Sequence, residues 1–97
     1  MYGVIVQIKT DPNREDSKAM IRDVILPRAT QLPGFTGGTW LQTLDDGRGT
    51  AVMQFESEED AHAAAERIRS QGPLAGGLVD LQSVDTCEVL YQTSPAP

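Results

Sequence analysis

Hydrophobic and polar residues alternate along the start of the chain. In YGVIVQIK, residues 2 to 9, Val4, Val6 and Ile8 fall on one side and the intervening residues on the other. A period of two is typical of a β-strand with one buried face. We therefore predict a strand over residues 2 to 9.

The next segment has helical spacing. Asp11 followed by Pro12 favours a helix start, because the Asp oxygen can cap free N–H groups and proline loses nothing at the first helical position. Apolar residues then recur every three or four positions: Met20, Ile21, Val24, Ile25, Ala29 and Leu32. Pro27 removes a backbone donor, so we expect a kink there, with residues 28 to 32 forming a separate short segment at the mouth of a cleft. The helix should end before Pro33-Gly34.

Two alternating runs flank the sequence DDG, which favours a β-hairpin with a two-residue turn at Asp46-Gly47. That turn would place Trp40 opposite Met53. One predicted face carries Trp40, Gln42, Ala51, Met53 and Phe55. The other face carries Thr39, Leu41, Thr43, Thr50, Val52 and Gln54.

A second helix and a last strand complete the predicted elements. Ser57 can cap the helix, and its stripe of small residues predicts close packing on a sheet: Ala61, Ala64, Ala65 and Ile68. Gly72-Pro73 should end it. LQSVDTCEVLYQT, residues 81 to 93, predicts a strand with Cys87, Val89 and Tyr91 on one face. We assign residues 1 to 92 to one domain and residues 93 to 97 to a flexible tail.

The element order is β-α-β-β-α-β. This order predicts an α+β, ferredoxin-like fold, with a four-stranded antiparallel sheet and both helices on one face. The other sheet face mixes Leu41 and Val52 with threonines, which is too apolar for open water. We therefore expect it to pair with a second copy of the chain, giving a homodimer.

Composition narrows the class of partner. The 97 residues include 14 acidic and 8 basic side chains, for a net charge of −6. This balance argues against a nucleic-acid or anionic membrane partner. Cys87 is the only cysteine, so the chain has no internal disulfide and no cysteine-rich metal site, and we expect no metal. The start of the chain lacks signal-peptide features, and no apolar run approaches membrane-spanning length, so we expect a cytoplasmic protein.

Two motifs resemble the dimeric α/β-barrel superfamily, and within it the antibiotic-biosynthesis-monooxygenase-like group. They are LPGF, residues 32 to 35, and MQFESEEDAHAA, residues 53 to 64; the resemblance covers residues 2 to 92. It implies two sheets paired into a barrel, with a ligand between each sheet and its own helices. Some members are oxygenases acting on electron-rich aromatics without metal or flavin, and others degrade haem.

The haem-degrading members use an asparagine on the first strand and a histidine near the end of the second helix. This sequence instead has Gln7 on the strand, and its only histidine, His62, lies in the first two turns of the second helix. On these two departures we expect no haem and no other cofactor.

The glycine-rich LPGFTGGTW, residues 32 to 40, raises two possible interpretations. A phosphate-binding loop runs from a strand into a helix start, whereas this segment runs from a helix end into a strand. Glycines that cap the helix, permit a bulge and leave space beside Trp40 are the better interpretation.

The resemblance favours a cavity on the helix side of the sheet, which would place Trp40, Met53 and Phe55 at a ligand. Ile21, Val24, Ile25 and the alanine face of the second helix would complete its wall, with polar points from Gln42, His62 or Tyr91. Several of these residues could instead have a purely structural role. Trp40 could be plain core, His62 an ion-pair partner of Glu58 or Glu66, Cys87 a small buried residue, and Tyr91 a dimer contact.

Three functional hypotheses follow. The first is a small-molecule-binding dimeric barrel without strong catalysis, with an aromatic ligand. The second is a cofactor-independent monooxygenase on an aromatic or quinol-like substrate, with Trp40 stacking the ring and Gln42 or a catalytic His62 orienting a hydroxyl group. The third is an interaction module without a pocket.

Overall fold

The computed structural model describes residues 1–10, 18–44, 48–70 and 79–95. Its strands are β1 (Tyr2–Thr10), β2 (Phe35–Gln42), β3 (Arg48–Phe55) and β4 (Val79–Glu88). Helix α1 comprises helical residues 18 to 20, the π-helical Ile21–Ile25 and the α-helical Leu26–Ala29, and helix α2 is Glu58–Ser70. The predicted turns and ends at Asp11-Pro12, Asp46-Gly47 and Gly72-Pro73 lie outside the described residues.

The four strands form one antiparallel sheet in the order β2-β3-β1-β4. This order, with the β-α-β-β-α-β sequence of elements, confirms the predicted ferredoxin-like fold. The core lies between the sheet and the helices, and its fully buried large side chains are Phe55 and Val4. The alternation in β1 is also confirmed, since Val4, Val6 and Ile8 are buried.

The register of the β2-β3 hairpin differs from the prediction by two residues. Trp40 pairs with Ala51, and Gly38 pairs with Met53. The observed register continues to the end of the hairpin, where Thr43 N–H donates to Arg48 O at 2.8 Å. Because side chains alternate with a period of two, a two-residue shift keeps every residue on its predicted face.

Pro27 changes α1 in a different way from the expected kink. Leu26 N–H donates to Ile21 O, so the backbone before the proline follows the wider π-helical pattern. The proline itself lies in the first turn of the α-helical Leu26–Ala29, and residues 30 to 34 form turns. The expected separate segment over residues 28 to 32 is therefore wrong, because the chain accommodates the missing N–H before the proline and not after it.

Gly34 directs the chain from the turns after α1 into β2. Its φ of 76° lies in the left-handed region, Phe35 N–H donates to Leu32 O at 3.1 Å, and Gly34 O accepts from Glu56 N–H at 3.0 Å. The predicted role of Gly34 as the helix cap is wrong, because α1 ends at Ala29 and Thr30 is its C-cap. A register shift between Phe35 and Gly37 provides the expected bulge next to it.

Helix α2 begins as predicted, since Ser57 Oγ accepts from Asp60 N–H at 3.1 Å. Strand β4 is shorter than predicted and ends at Glu88. Beyond it, the side chains of Leu90 and Tyr91 are exposed. Among the described residues, the helices are too short or too polar to cross a membrane.

Candidate functional site

A cleft of about 420 Å³ lies between the sheet and α1. Its volume falls in the range of pockets that hold small molecules. Strands β1, β2 and β3 form its floor, α1 forms one wall, and the end of α2 closes one side. The lining residues are Val6, Ile8, Met20, Val24, Ile25, Arg28, Ala29, Gln31, Leu32, Trp40, Ala51, Met53, Arg67 and Ile68.

The sequence pattern explains how these side chains converge. The floor residues are the helix-facing members of each alternating strand, such as Val6, Trp40 and Ala51. The helix wall is the apolar stripe recognised in the sequence, with Met20 and Val24 one turn apart. Of that stripe, Ile21 lies outside the lining. The alternation in the strands and the three- to four-residue spacing in α1 direct apolar side chains into the space between sheet and helix. The cleft is the part of that space that these side chains do not fill.

Trp40 provides the flat aromatic surface of the cleft. It is half-buried, packs against the core cluster and also lines the cleft. The ring lies over Gly38, where an added Cβ would come within 2.9 Å of the indole atoms Cη2 and Cζ3. Gly38 therefore leaves room for the indole, whereas Gly37 lies in open space and serves the bulge.

Phe55 and the alanine face of α2 lie outside the cleft, contrary to expectation. Phe55 is fully buried and packs edge-to-face on Phe35, with ring centroids 6.0 Å apart at 74°. Ala61, Ala64 and Ala65 are also buried in the core. Because their side chains are small, α2 packs close to the sheet and leaves no space there. Only the end of this helix, at Arg67 and Ile68, reaches the cleft.

The expected polar points are not in the lining either. Gln42 is half-buried at the end of β2, and Tyr91 is 95% exposed beyond β4. Cys87 pairs with Gly3 in the sheet register, one position from the helix-facing Val4, and so belongs to the opposite face. None of these three residues reaches the cleft in this chain, whereas Trp40 and Met53 do.

His62 lies in a separate depression of about 380 Å³ with Tyr2, Glu58 and Thr86 among its neighbours. Its Nε2 is 3.4 Å from Glu58 Oε1, and its side chain is 57% exposed. This contact joins the two helix-surface positions that the four-residue spacing predicted as partners. Glu66, the other candidate partner, pairs instead with Arg69 at 2.7 Å.

Polar groups of the cleft come from Arg28, Gln31 and Arg67, which sequence reasoning missed. A signal for them did exist. Arg28 lies four residues after Val24 and four before Leu32, on the apolar stripe of α1, and Arg67 is adjacent to Ile68 on the stripe of α2. Long side chains on such stripes can cover apolar surface while their charged ends reach the rim.

The side chains near the cleft include few of the types that bind metal ions or haem iron. Among the described residues, groups of three His, Cys, Asp or Glu that could hold a metal ion are absent; the expectation of no metal stays a prediction. Haem iron is usually held by His, Cys, Met or Tyr. Among the described lining residues, those of these types are Met20 and Met53, and His62 and Cys87 lie outside the lining. The expectation of no haem stays a prediction.

Solved structures share this architecture across nearly the whole chain. A point mutant of MhuD with two manganese protoporphyrin IX molecules bound per active site has a TM-score of 0.70 at 20% identity, covering 98% of this chain and 100% of that chain. The haem degrader MhuD from Mycobacterium tuberculosis, with two haems in its active site, has a TM-score of 0.65 at 22% identity, covering 97% and 100%. The chain shares the ferredoxin-like fold of these two structures.

A monooxygenase from the gene ActVA-Orf6 of Streptomyces coelicolor has a similar structure. Its complex with nanaomycin D has a TM-score of 0.61 at 17% identity, covering 99% of this chain and 91% of that chain. No protein-family model matches the chain, and no curated protein matches it. The resemblance to antibiotic-biosynthesis monooxygenases is thus confirmed for the fold.

Proposed function

We propose that the protein binds a small aromatic molecule in the cleft between the sheet and α1. The observation that carries this proposal is a cleft of about 420 Å³ in which apolar side chains surround one half-buried indole. Most small-molecule sites are concave and apolar, with few polar groups that orient the ligand. The rings of Trp40 and an aromatic ligand would stack in an offset or edge-to-face arrangement.

The chemistry of the lining favours binding over strong catalysis. General acid–base catalysis needs a side chain that can take or give a proton next to the reacting atom. Among the described lining residues, the ionisable side chains are Arg28 and Arg67, and an arginine does not lose its proton in proteins. His62, the catalytic candidate, lies in the other depression.

Quenching of Trp40 fluorescence tests the binding proposal, because Trp40 is the only tryptophan. A panel of aromatic compounds should include members that quench it saturably. Ala51→Leu places extra carbon atoms beside Trp40 on the cleft floor and should weaken this binding at least tenfold. The matched control Ala63→Leu, at an exposed position of α2, should leave binding unchanged. Absence of saturable quenching at millimolar concentration would overturn the proposal.

A cofactor-independent monooxygenase is the second candidate, supported by the similarity of the fold to the ActVA-Orf6 monooxygenase and by the apolar cleft. In this reaction a substrate that has lost its proton to the solvent binds as an anion and passes an electron to O₂, and the protein supplies a site that stabilises the anion. Anthrone- or quinol-type compounds should then be consumed together with O₂. Turnover lost in Trp40→Phe and retained in His62→Ala would support this candidate, whereas absence of O₂ uptake would leave binding alone.

We further propose that the open face of the sheet pairs with a second copy of the chain. Leu41 is 57% exposed on this face, and Ile5 and Val52 are half-buried there. The cross-strand bond from Thr50 Oγ1 to Gln7 Oε1, at 2.8 Å, satisfies polar groups that a second sheet would otherwise desolvate. Sedimentation should give a dimer at micromolar concentration, and a stable monomer there would refute this proposal.

A further inference from the structure

The charges around the cleft are distributed differently from those of the whole chain. The chain carries 14 acidic and 8 basic side chains. The described lining of the cleft reverses this balance, because it contains two arginines and no carboxylate. In a protein of net charge −6, this is a local positive site at the edge of an apolar space.

Arg28 is placed toward the cleft by its position on α1. Its helical neighbours at three- and four-residue spacing are Val24, Ile25, Gln31 and Leu32, and all four line the cleft. None of them is acidic, so the helix offers the guanidinium no side-chain ion pair.

Arg67 has a similar setting on α2. Its neighbours at the same spacings within the described helix are Ala63, Ala64 and Ser70, and none of them is acidic. In contrast, Arg69 pairs with Glu66 Oε1 at 2.7 Å and donates to Val84 O at 2.7 Å. Within residues 1–10, 18–44, 48–70 and 79–95, the ion pairs found do not include Arg28 or Arg67.

Arg22, in contrast, is a surface arginine that forms an ion pair. Its Nε lies 2.8 Å from Asp23 Oδ1, and its Nη2 lies 3.1 Å from Asp23 Oδ2. Because this pair is outside the cleft lining, Arg22 provides a control of the same charge and chemistry.

We propose that the cleft selects an anionic ligand, an aromatic carboxylate whose ring contacts Trp40 and whose carboxylate is bound by Arg28 and Arg67. This inference rests on the proposed function, since it assigns the ligand class of the same cleft. Guanidinium groups bind carboxylates through charge-assisted hydrogen bonds, often in pairs. The adjoining apolar wall excludes part of the water that would otherwise screen the charges.

Two probes of similar shape separate the contribution of charge to binding from that of shape. They are naphthalene carboxylate and the neutral naphthalene carboxamide. Isothermal titration calorimetry on the full chain at low salt should show the carboxylate binding about tenfold more tightly, equivalent to about 1.4 kcal/mol. This preference should shrink at physiological ionic strength, because exposed charges are screened within about 8 Å there.

Substitution then assigns the preference to the two arginines. Arg28→Gln and Arg67→Gln should each lower the ratio of carboxylate affinity to carboxamide affinity several-fold, while Arg22→Gln should retain the full ratio. Circular dichroism checks that each variant is folded, and the salt dependence of the unmodified protein remains a test if one is not.

The outcomes distinguish this inference from the proposed function. Equal binding of both probes, or a preference that survives in both cleft variants, would overturn the anion inference and leave the binding site intact. Binding of neither probe at millimolar concentration would overturn both.

Discussion

Substitution of Gly34 by alanine should destabilise the protein through two identifiable effects. At φ 76° an alanine adopts a left-handed conformation, which costs about 1 kcal/mol. An added Cβ would also overlap the Asp60 carboxyl group, with Asp60 Cγ 2.6 Å and Asp60 Cβ 2.9 Å away. Moving Asp60 off its rotamer, and away from the N-terminus of α2, costs about 1 kcal/mol more.

The free energy of unfolding should therefore fall by about 2 kcal/mol. For a domain of this size each 1 kcal/mol lowers Tm by about 4–8 °C, so thermal unfolding followed by circular dichroism should show a decrease of about 8–16 °C. Gly37→Ala is the matched control, since a Cβ there meets open space and the backbone is not left-handed. It should leave Tm unchanged or slightly higher.

A double-mutant cycle separates the steric effect from the backbone effect. In the Asp60→Ala background the closest clashing atoms are gone, so Gly34→Ala should cost about 1 kcal/mol less than it does alone. If Gly34→Ala is as mild as Gly37→Ala, the assignment of Gly34 as an obligatory left-handed turn beside Asp60 is wrong.

Three other predictions concern the elements that position the cleft. Ser57→Ala should lower the free energy of unfolding by about 1 kcal/mol in urea denaturation, because it removes the cap on Asp60 N–H, and Ser57→Asp should restore it. Arg69→Ala should lower it by about 1 kcal/mol through loss of the bond to Val84 O, with Arg22→Ala as a neutral control; equal effects would contradict this assignment. The pKa of Asp23 lies below its usual value because Arg22 donates hydrogen bonds to the carboxylate, so an NMR titration of Arg22→Gln should show that pKa rising, and an unchanged pKa would refute the pairing.

The fold was predictable because its signals are periodic. Alternation in β1 and the spacing of alanines in α2 each specify one buried face, and the structure buries those faces. The hairpin register was less predictable, because alternation alone does not specify which cross-strand bonds form, such as that from Thr43 N–H to Arg48 O. The π-helical turn before Pro27 likewise depends on how the chain relieves a missing donor.

The cleft was predictable in position and only partly in lining. Trp40, Met53 and Val24 follow from the two periodicities, so their convergence could be anticipated. Phe55 and the alanines of α2 could not be separated from the cleft by pattern alone, since facing the helices does not reveal where packing is complete. Arg28 and Arg67 could not be assigned to the cleft from the sequence alone. Arginine is common on helix surfaces, and the pattern does not show whether its long side chain extends into solvent or along the apolar stripe.

The most direct test of the central claim is the location of a bound aromatic ligand. An NMR titration with naphthalene carboxylate should shift the indole N–H of Trp40 and the side-chain methyl signals of Met20, Ile25 and Met53, which line the cleft. The ring signals of His62 should remain in place, because its depression is separate. Saturable shifts confined to the cleft residues are the result that the account predicts. Shifts centred on His62, or on Leu41 and Val52 of the open face, with an unchanged Trp40 signal, would contradict it.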